Sequence, residues 1–266
     1  MHDDTTPPPG VDTRTPSAAR IYDYMIGGTD NYVVDRQAAE SILKLAPATR
    51  DLGTYNRQFL QRVIGYMVTE AGIDQFIDIG SGLPTVDNVH QVAQRLNPAA
   101  RVVYVDNDPT VLLHARALLN GSEQCAFLQA DAREPDAILN TPETQRLIDL
   151  ERPVGLLLAG VLHFIPPEDD PAGLVAAFTG ALAAGSHVGI SHASSEGAPQ
   201  EVLDQIRLTY RNATAKLRLV PRDQIEKLFS GLRLVEPGVV EVQDWRPDTP
   251  RPSCELRVLG GVAVRD

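Results

Sequence analysis

The stretch Gln75-Phe76-Ile77-Asp78-Ile79-Gly80-Ser81-Gly82-Leu83-Pro84 decides how this chain is read. An apolar run with a carboxylate two residues before the first glycine predicts a buried strand that ends in a tight turn. Gly80 and Gly82 let the backbone turn sharply and approach a ligand with no side chain in the way. A helix predicted from about Thr85 aims its N-terminus at the same place. A dinucleotide loop wants a third glycine at position 85, where this chain has Thr85. Asp78 places a negative charge that repels a pyrophosphate and attracts an ammonium, so a nicotinamide oxidoreductase is disfavoured.

The same pattern recurs downstream. Arg101-Val102-Val103-Tyr104-Val105-Asp106 is a second buried-type strand ending in an acid, and Phe127-Leu128-Gln129-Ala130-Asp131 a third. Open α/β sheets bind ligands outside the carboxyl ends of their strands, where an acid ending the second strand can accept the hydroxyls of a ribose. Asp106, with Asn107 beside it, suits that role. Asp131, with Ala132, suits the exocyclic amine of an adenine, while Asp108-Pro109 reads as a helix start. A lone Gly-x-Gly is often only a turn, and a strand-terminal Asp is often only a helix cap. Their recurrence at the spacing of successive βα units points instead to a nucleoside. A nucleoside that ends in an amino-acid ammonium is S-adenosylmethionine, with Asp78, Gly80, Ser81 and Gly82 expected at its methionine end and Gly160 beside its methyl group.

These motifs resemble the class I S-adenosylmethionine-dependent methyltransferases, and more narrowly the bacterial S-adenosyl methyltransferase family known as DUF574. The resemblance is carried by residues 16–32 (PSAARIYDYMIGGTDNY), Asn56-Arg57-Gln58-Phe59-Leu60, the Gln75 to Pro84 loop, Tyr104 to Pro109, Leu162-His163-Phe164 and Ser191-His192. It implies an α/β fold: a single Rossmann-like class I methyltransferase domain, with a seven-stranded mostly parallel sheet, an antiparallel C-terminal hairpin and an N-terminal helical cap. It implies the cofactor and methyl transfer, but not the acceptor. Pro84 stands where the general methyltransferase loop more often has a glycine.

Bulk properties narrow the partners. The 266 residues carry 24 basic and 35 acidic side chains, a net charge of -11, which disfavours a nucleic-acid backbone as partner. No apolar run reaches bilayer length, and the acidic N-terminus is not a signal peptide, so a cytoplasmic protein with no membrane partner is expected. Cys125 and Cys254 form no metal-binding spacing and read as buried free thiols. Residues 1–15, with Pro7 to Pro9, are expected as a flexible tail, 16–72 as a helical cap or lid, and 73–266 as the methyltransferase domain. Helices are expected around Ser17–Ile26, Asp35–Lys44, Asn56–Glu70, Asp170–Ala184, Pro199–Leu217 and Pro221–Phe229. Strands are expected at Val154–Ala159 and His187–Ser191, and near Val239–Gln243 and Glu255–Val264. The oligomeric state is not legible.

Two elements bear on chemistry. The turn Gly27-Gly28-Thr29-Asp30-Asn31-Tyr32 ends a helix carrying Tyr24, and reads either as a plain glycine C-cap or as a lid whose Tyr24, Gly28 and Asn31 touch the cofactor. His163 and His192 follow the fourth and fifth strands, where a base would take a proton from a small-molecule acceptor. For each, the alternative is a histidine satisfied by neighbouring backbone. A non-catalytic S-adenosylmethionine-binding sensor or regulatory protein is the competing function, and it would have no acceptor cavity beside the sulfonium.

Overall fold

The computed structural model describes residues 11–85 and 87–266, so the first ten residues of the expected tail lie outside the described part. Before the sheet come three helices, α1 (Ala18–Met25), α2 (Val33–Leu43) and α3 (Thr49–Thr69). Alternation then begins with β1 (Gln75–Ile79), α4 (Val89–Leu96), β2 (Arg101–Asp106), α5 (Pro109–Leu118) and β3 (Cys125–Gln129). It continues through α6 (Pro135–Leu139), α7 (Pro142–Leu147), β4 (Gly155–Ala159), α8 (Pro171–Gly180) and β5 (His187–Ser194). Helices α9 (Gln200–Arg211) and α10 (Arg222–Lys227) lead to β6 (Arg233–Leu234), β7 (Val240–Glu241) and β8 (Arg257–Val264).

The sheet runs β3-β2-β1-β4-β5-β8-β6, with β7 also paired to β8. Strands β1 to β5 are parallel, and β8 is antiparallel to β5. The expected fold class is therefore present, with eight strands instead of seven. The added strand is β6, two residues long and too short for an alternation pattern to reveal, while β7 falls within the strand expected near Val239–Gln243. The β7–β8 pairing is antiparallel as expected, but most of β8 lies along β5. Because the chain builds outward from β1 to β3 on one side and from β4 on the other, the order reverses between β1 and β4. A crevice opens at the carboxyl ends of strands at such a point.

Helix α3 lies directly on the sheet. A Cβ added at Gly189 would meet Val63 Cγ1 at 2.9 Å, and one at Gly260 would meet Phe59 Cζ at 2.9 Å, so small residues in β5 and β8 let the helix approach closely. Phe59, Val63, Ile64 and Met67 are fully buried there with Phe76 and Val262. Helices α1 and α2 are joined by a buried ion pair, Arg20 Nε to Asp35 Oδ2 at 2.7 Å. The Asp35 carboxylate also accepts the N–H groups of Ser17 and Tyr32, both at 2.9 Å, which satisfies the lone pairs that make such a pair tolerable. Arg20 Nη2 in turn donates to the carbonyls of Asp12 and Thr15. Both cysteines are free and buried. Among the described residues, no helix is long and apolar enough to cross a membrane, and no cluster of His, Cys, Asp or Glu could hold a metal ion.

Candidate active site

At the crevice lies a cavity of about 1000 Å³, at the upper end of the range for ligand pockets. Its floor is the glycine loop. Gly80 (φ +69°) and Gly82 (φ +65°) both sit in the left-handed region, for different reasons. A Cβ on Gly80 would strike Val161 Cγ2 at 2.3 Å, so this glycine lets the loop after β1 touch the loop after β4. A Cβ on Gly82 would meet nothing within 4 Å, so it would enter open space. The loop is pinned to β2: Gly80 and Ser81 donate to the Val105 carbonyl at 2.7 and 3.1 Å, and Gly82 donates to Asp106 Oδ2 at 2.8 Å.

The helix expected from Thr85 begins instead at Val89. Asn88 caps it, with Oδ1 accepting the Thr85 N–H at 3.0 Å, while Gln91 accepts the Asn88 N–H at 2.8 Å. This bend sets the positive helix end a turn away from the glycines, where its field is weaker.

Asp78 lines the cavity, is 5% exposed, and accepts no hydrogen bond from the described residues. Burial pushes its carboxyl up to about 7, with Arg57 opposing that shift and Asp106 adding to it. Asp106 is also raised by burial, against the N–H groups of Asp108 and Gly82 that favour its charged form. Asn107, Asp131 and Ala132 line the cavity beside it. Asp131 is held by Arg133, whose Nε lies 3.0 and 3.1 Å from its two oxygens, and this contact lowers its carboxyl.

The N-terminal elements form the opposite wall. Ser17, Tyr22 and Asp23 line the cavity, whereas Tyr24, Gly28 and Asn31 do not. Tyr24 donates to Glu40 Oε1 at 2.6 Å. Gly27 and Gly28 donate to the carbonyls of Tyr24 (3.1 Å) and Asp23 (2.8 Å), a Schellman C-cap of α1. A Cβ on Gly28 would fall 2.0 Å from Asp23 Oδ1. The Asn31 amide and the Asp30 N–H both bind Asp23 Oδ2 at 2.9 Å. The turn thus wraps Asp23, and Asp23 is what it presents to the cavity.

Gly160 (φ +75°) faces the middle of the cavity, where an added Cβ would sit 3.5 Å from Asn56 Nδ2 and 3.7 Å from His163 Cε1. His163 is buried, and its Nδ1 accepts the Ala193 N–H at 3.3 Å. Its neutral ring therefore carries the proton on Nε2. Burial, with His192 nearby, lowers the affinity of this ring for a second proton well below the ordinary histidine range. His192 does not line the cavity. Its Nδ1–H donates to the Ala193 carbonyl at 2.9 Å, its ring packs 5.4 Å from that of His163, and burial lowers its pKa to about 4.

Arg57, Asn56, Tyr22 and Asp23 had no assigned role in the sequence reading. Asn56 and Arg57 stand inside one of the motif segments, which is the signal that marks them. Arg57 donates to Thr85 Oγ1 beside Asp78. Asn56 is 8% exposed and its Oδ1 has no partner among the described residues.

The profile of one family, described as S-adenosyl methyltransferase, matches residues 4–266. The chain belongs to the S-adenosyl methyltransferase family. It is an S-adenosylmethionine-dependent methyltransferase. It is similar to a crystal structure from Thermobifida fusca YX, provisionally assigned as a methyltransferase, at 41% identity over 98% of both chains and a TM-score of 0.91. It is also similar to a DUF574 family protein of Streptomyces avermitilis MA-4680, at 39% identity over 96% of this chain and 99% of that one, with a TM-score of 0.90. The mitomycin 7-O-methyltransferase MmcR, at 17% identity and a TM-score of 0.51 over 81% of this chain and 56% of that one, shares the fold alone. No curated protein matches. The methyltransferase's own features fit its cofactor: open space above Gly82, a buried carboxylate at Asp78 without donors among the described residues, and Asp106 at the end of β2.

Proposed function

We propose that this methyltransferase methylates a small-molecule acceptor, with Asp78 and Arg57 as complementary ends of a zwitterion site. One observation carries the reading: Asp78 is a buried, cavity-facing carboxylate with no hydrogen-bond donor among the described residues, beside the half-buried guanidinium side chain of Arg57, which donates to Thr85 and faces no carboxylate in an ion pair among the described residues. An ammonium at Asp78 and a carboxylate at Arg57 would complete both charges in a site poorly screened by solvent. Gly80, Ser81 and Gly82 would bring backbone to the same end, Asp106 and Asn107 would take the ribose, and Asp131 and Ala132 would border the adenine. Asp131 would do so while still held by Arg133. Bound there, S-adenosylmethionine supplies an electrophilic methyl group.

The chain's residues then have to hold an acceptor in line and keep water out. Beyond Gly160 the cavity continues past Phe164, Ile206, Tyr210, Leu256 and Val258, an apolar annex that a pure sensor would not need. His163 borders both parts. Its Nε2 carries a proton and so donates, which suits orienting an acceptor oxygen or ring nitrogen more than removing its proton. Asn56 Oδ1, with a free lone pair nearby, accepts from an acceptor N–H or O–H. Gly28 and Asn31 support this wall through Asp23, while Tyr24 is turned to Glu40.

The test is calorimetry with S-adenosylhomocysteine, followed by labelled-methyl transfer into a fractionated small-molecule extract. Micromolar binding with label entering a small molecule is expected, and Arg57→Gln should weaken binding by about tenfold or more, as for loss of a charge-assisted hydrogen bond. Undiminished binding in Arg57→Gln would remove Arg57 from the site, and binding with no transfer to any fraction would favour the sensor reading.

A further inference from the structure

The segment after α9 crosses the carboxyl edge of the sheet. Thr214 N–H donates to the Pro16 carbonyl at 2.9 Å, Arg218 N–H to the His163 carbonyl at 2.8 Å, and Ser195 N–H to the Val220 carbonyl at 3.0 Å. These ties stretch it as a strap from the start of α1, past His163, to the end of β5. The strap brings Lys216 and Arg218 to the wall of the cavity at the apolar annex. Arg218 is half-buried and lowers the proton affinity of the nearby His192, while Lys216 is exposed at the rim.

Neither side chain has a hydrogen-bonded or ion-pair partner among the described residues. The other cations of the cavity wall are accounted for: Arg20 pairs with Asp35, Arg133 pairs with Asp131 and Asp169, and Arg57, bonded to Thr85, is assigned above to the cofactor's carboxylate. In a chain of net charge -11, two unengaged cations beside one annex are a local complement to an anion. Of the carboxylates in the lining, Glu168 is exposed in the turn whose Asp169 grips Arg133, on the Asp131 side of the mouth, and Asp108 accepts the Ser17 hydroxyl at 2.7 Å. The annex wall is aromatic: Phe164 and Tyr210 meet with ring centroids 5.9 Å apart at 45°, and Phe164 packs on His163 at 4.4 Å. Such a surface takes flat rings by stacking or edge contact.

We infer that the acceptor is a flat aromatic molecule carrying an anionic group, its ring against Phe164 and Tyr210 and its charge beside Arg218 and Lys216. This rests on the methyl-transfer reading above. Anchored at those two points, the acceptor turns its remaining edge toward Gly160 and the His163 Nε2–H, which is where its nucleophilic atom has to be. A cationic acceptor would meet the same two charges and be repelled.

The test uses two fluorescent probes of like size, anionic 8-anilino-1-naphthalenesulfonate and neutral N-phenyl-1-naphthylamine, on the full chain saturated with S-adenosylhomocysteine. The anionic probe should bind at one site, weaken with added salt, and weaken about tenfold in the Lys216→Gln/Arg218→Gln variant. The neutral probe and S-adenosylhomocysteine should each stay within about twofold of the parent protein, since neither depends on this charge-assisted contact. Arg218→Glu alone should lower affinity for the anionic probe and not the neutral one. Anionic-probe binding untouched by these changes, or both probes weakened equally, overturns the inference while leaving the cofactor reading intact. Loss of S-adenosylhomocysteine affinity in the Gln variant also overturns it, because the cations would then serve the cofactor. A parent protein that binds no S-adenosylhomocysteine overturns the methyl-transfer reading and the inference together.

Discussion

Gly80→Ala and Gly82→Ala should separate the two jobs of the glycine loop. Both residues have positive φ, so each substitution forces an L side chain into the left-handed region, at about 1–2 kcal/mol. At Gly80 the new methyl would also lie 2.3 Å from Val161, and overpacking of that kind adds about 1–3 kcal/mol. Gly80→Ala should therefore cost roughly 2–5 kcal/mol in total, and Gly82→Ala only the strain. For a chain of this length 1 kcal/mol moves Tm by about 2 °C, so falls of roughly 4–10 °C and 2–4 °C are expected. Binding should rank the other way for its own reason, because the Gly82 methyl enters the open space of the cavity while the Gly80 methyl faces protein. Thermal denaturation of the apo proteins measures the first effect, and titration with S-adenosylhomocysteine the second. Val161→Ala should restore part of the Gly80→Ala loss and none of the Gly82→Ala loss, a favourable coupling in the double-mutant cycle. Equal Tm values for the two glycine variants, or a cycle with no coupling at Val161, would refute the steric argument.

Asp78→Asn should stabilise the apo protein near neutral pH and weaken S-adenosylhomocysteine. The folded-state pKa of Asp78 is raised to about 7, above its unfolded value, so the native state holds the extra proton between roughly pH 4 and 7 and stability falls as pH rises through that window. The difference in Tm between Asn variant and parent should grow with pH there, and a pH-independent difference would count against a buried, proton-holding Asp78. Asp106→Ala removes the acceptor for the Gly82 and Asp108 N–H groups, and should cost binding about 1–3 kcal/mol by calorimetry while loosening the loop. His163 should show an Nε2–H tautomer by nitrogen NMR and no titration near pH 6.5, because burial lowers its pKa well below that value. A His163 resonance titrating at its ordinary pKa would return it to the role of base. Amides of α1 should gain hydrogen-exchange protection on adding S-adenosylhomocysteine, since Ser17, Tyr22 and Asp23 line the cavity. Unchanged protection across α1 would mean that this wall does not respond to the cofactor.

The sheet and its glycine loop were legible in the chain because their signals are local. Apolar runs ending in Asp78, Asp106 and Asp131 mark strand ends, and Gly80 and Gly82 mark a turn, whatever packs around them. The fold class followed from their order, and the two-residue strand β6 escaped because pairing with β8, not sequence pattern, creates it. Helix α4 began late because Asn88 satisfies the Thr85 N–H, a side-chain competition that a helical prediction does not weigh. The paired glycines after α1 were visible, but which side chain they serve was not: Gly28 is small so that Asp23 can turn its carboxylate inward. Likewise His163 was visible as a candidate base, and only the Ala193 N–H from β5, thirty residues away, decides that its Nε2 carries the proton. Asn56 and Arg57 come to the site from α3, Phe164 from the turn after β4, and Lys216 and Arg218 from the strap after α9. A site at a sheet edge is assembled from chain ends far apart in sequence, so its backbone half can be read from local pattern, while its charge pairs and proton positions exist only once the helices and strap have packed against that edge.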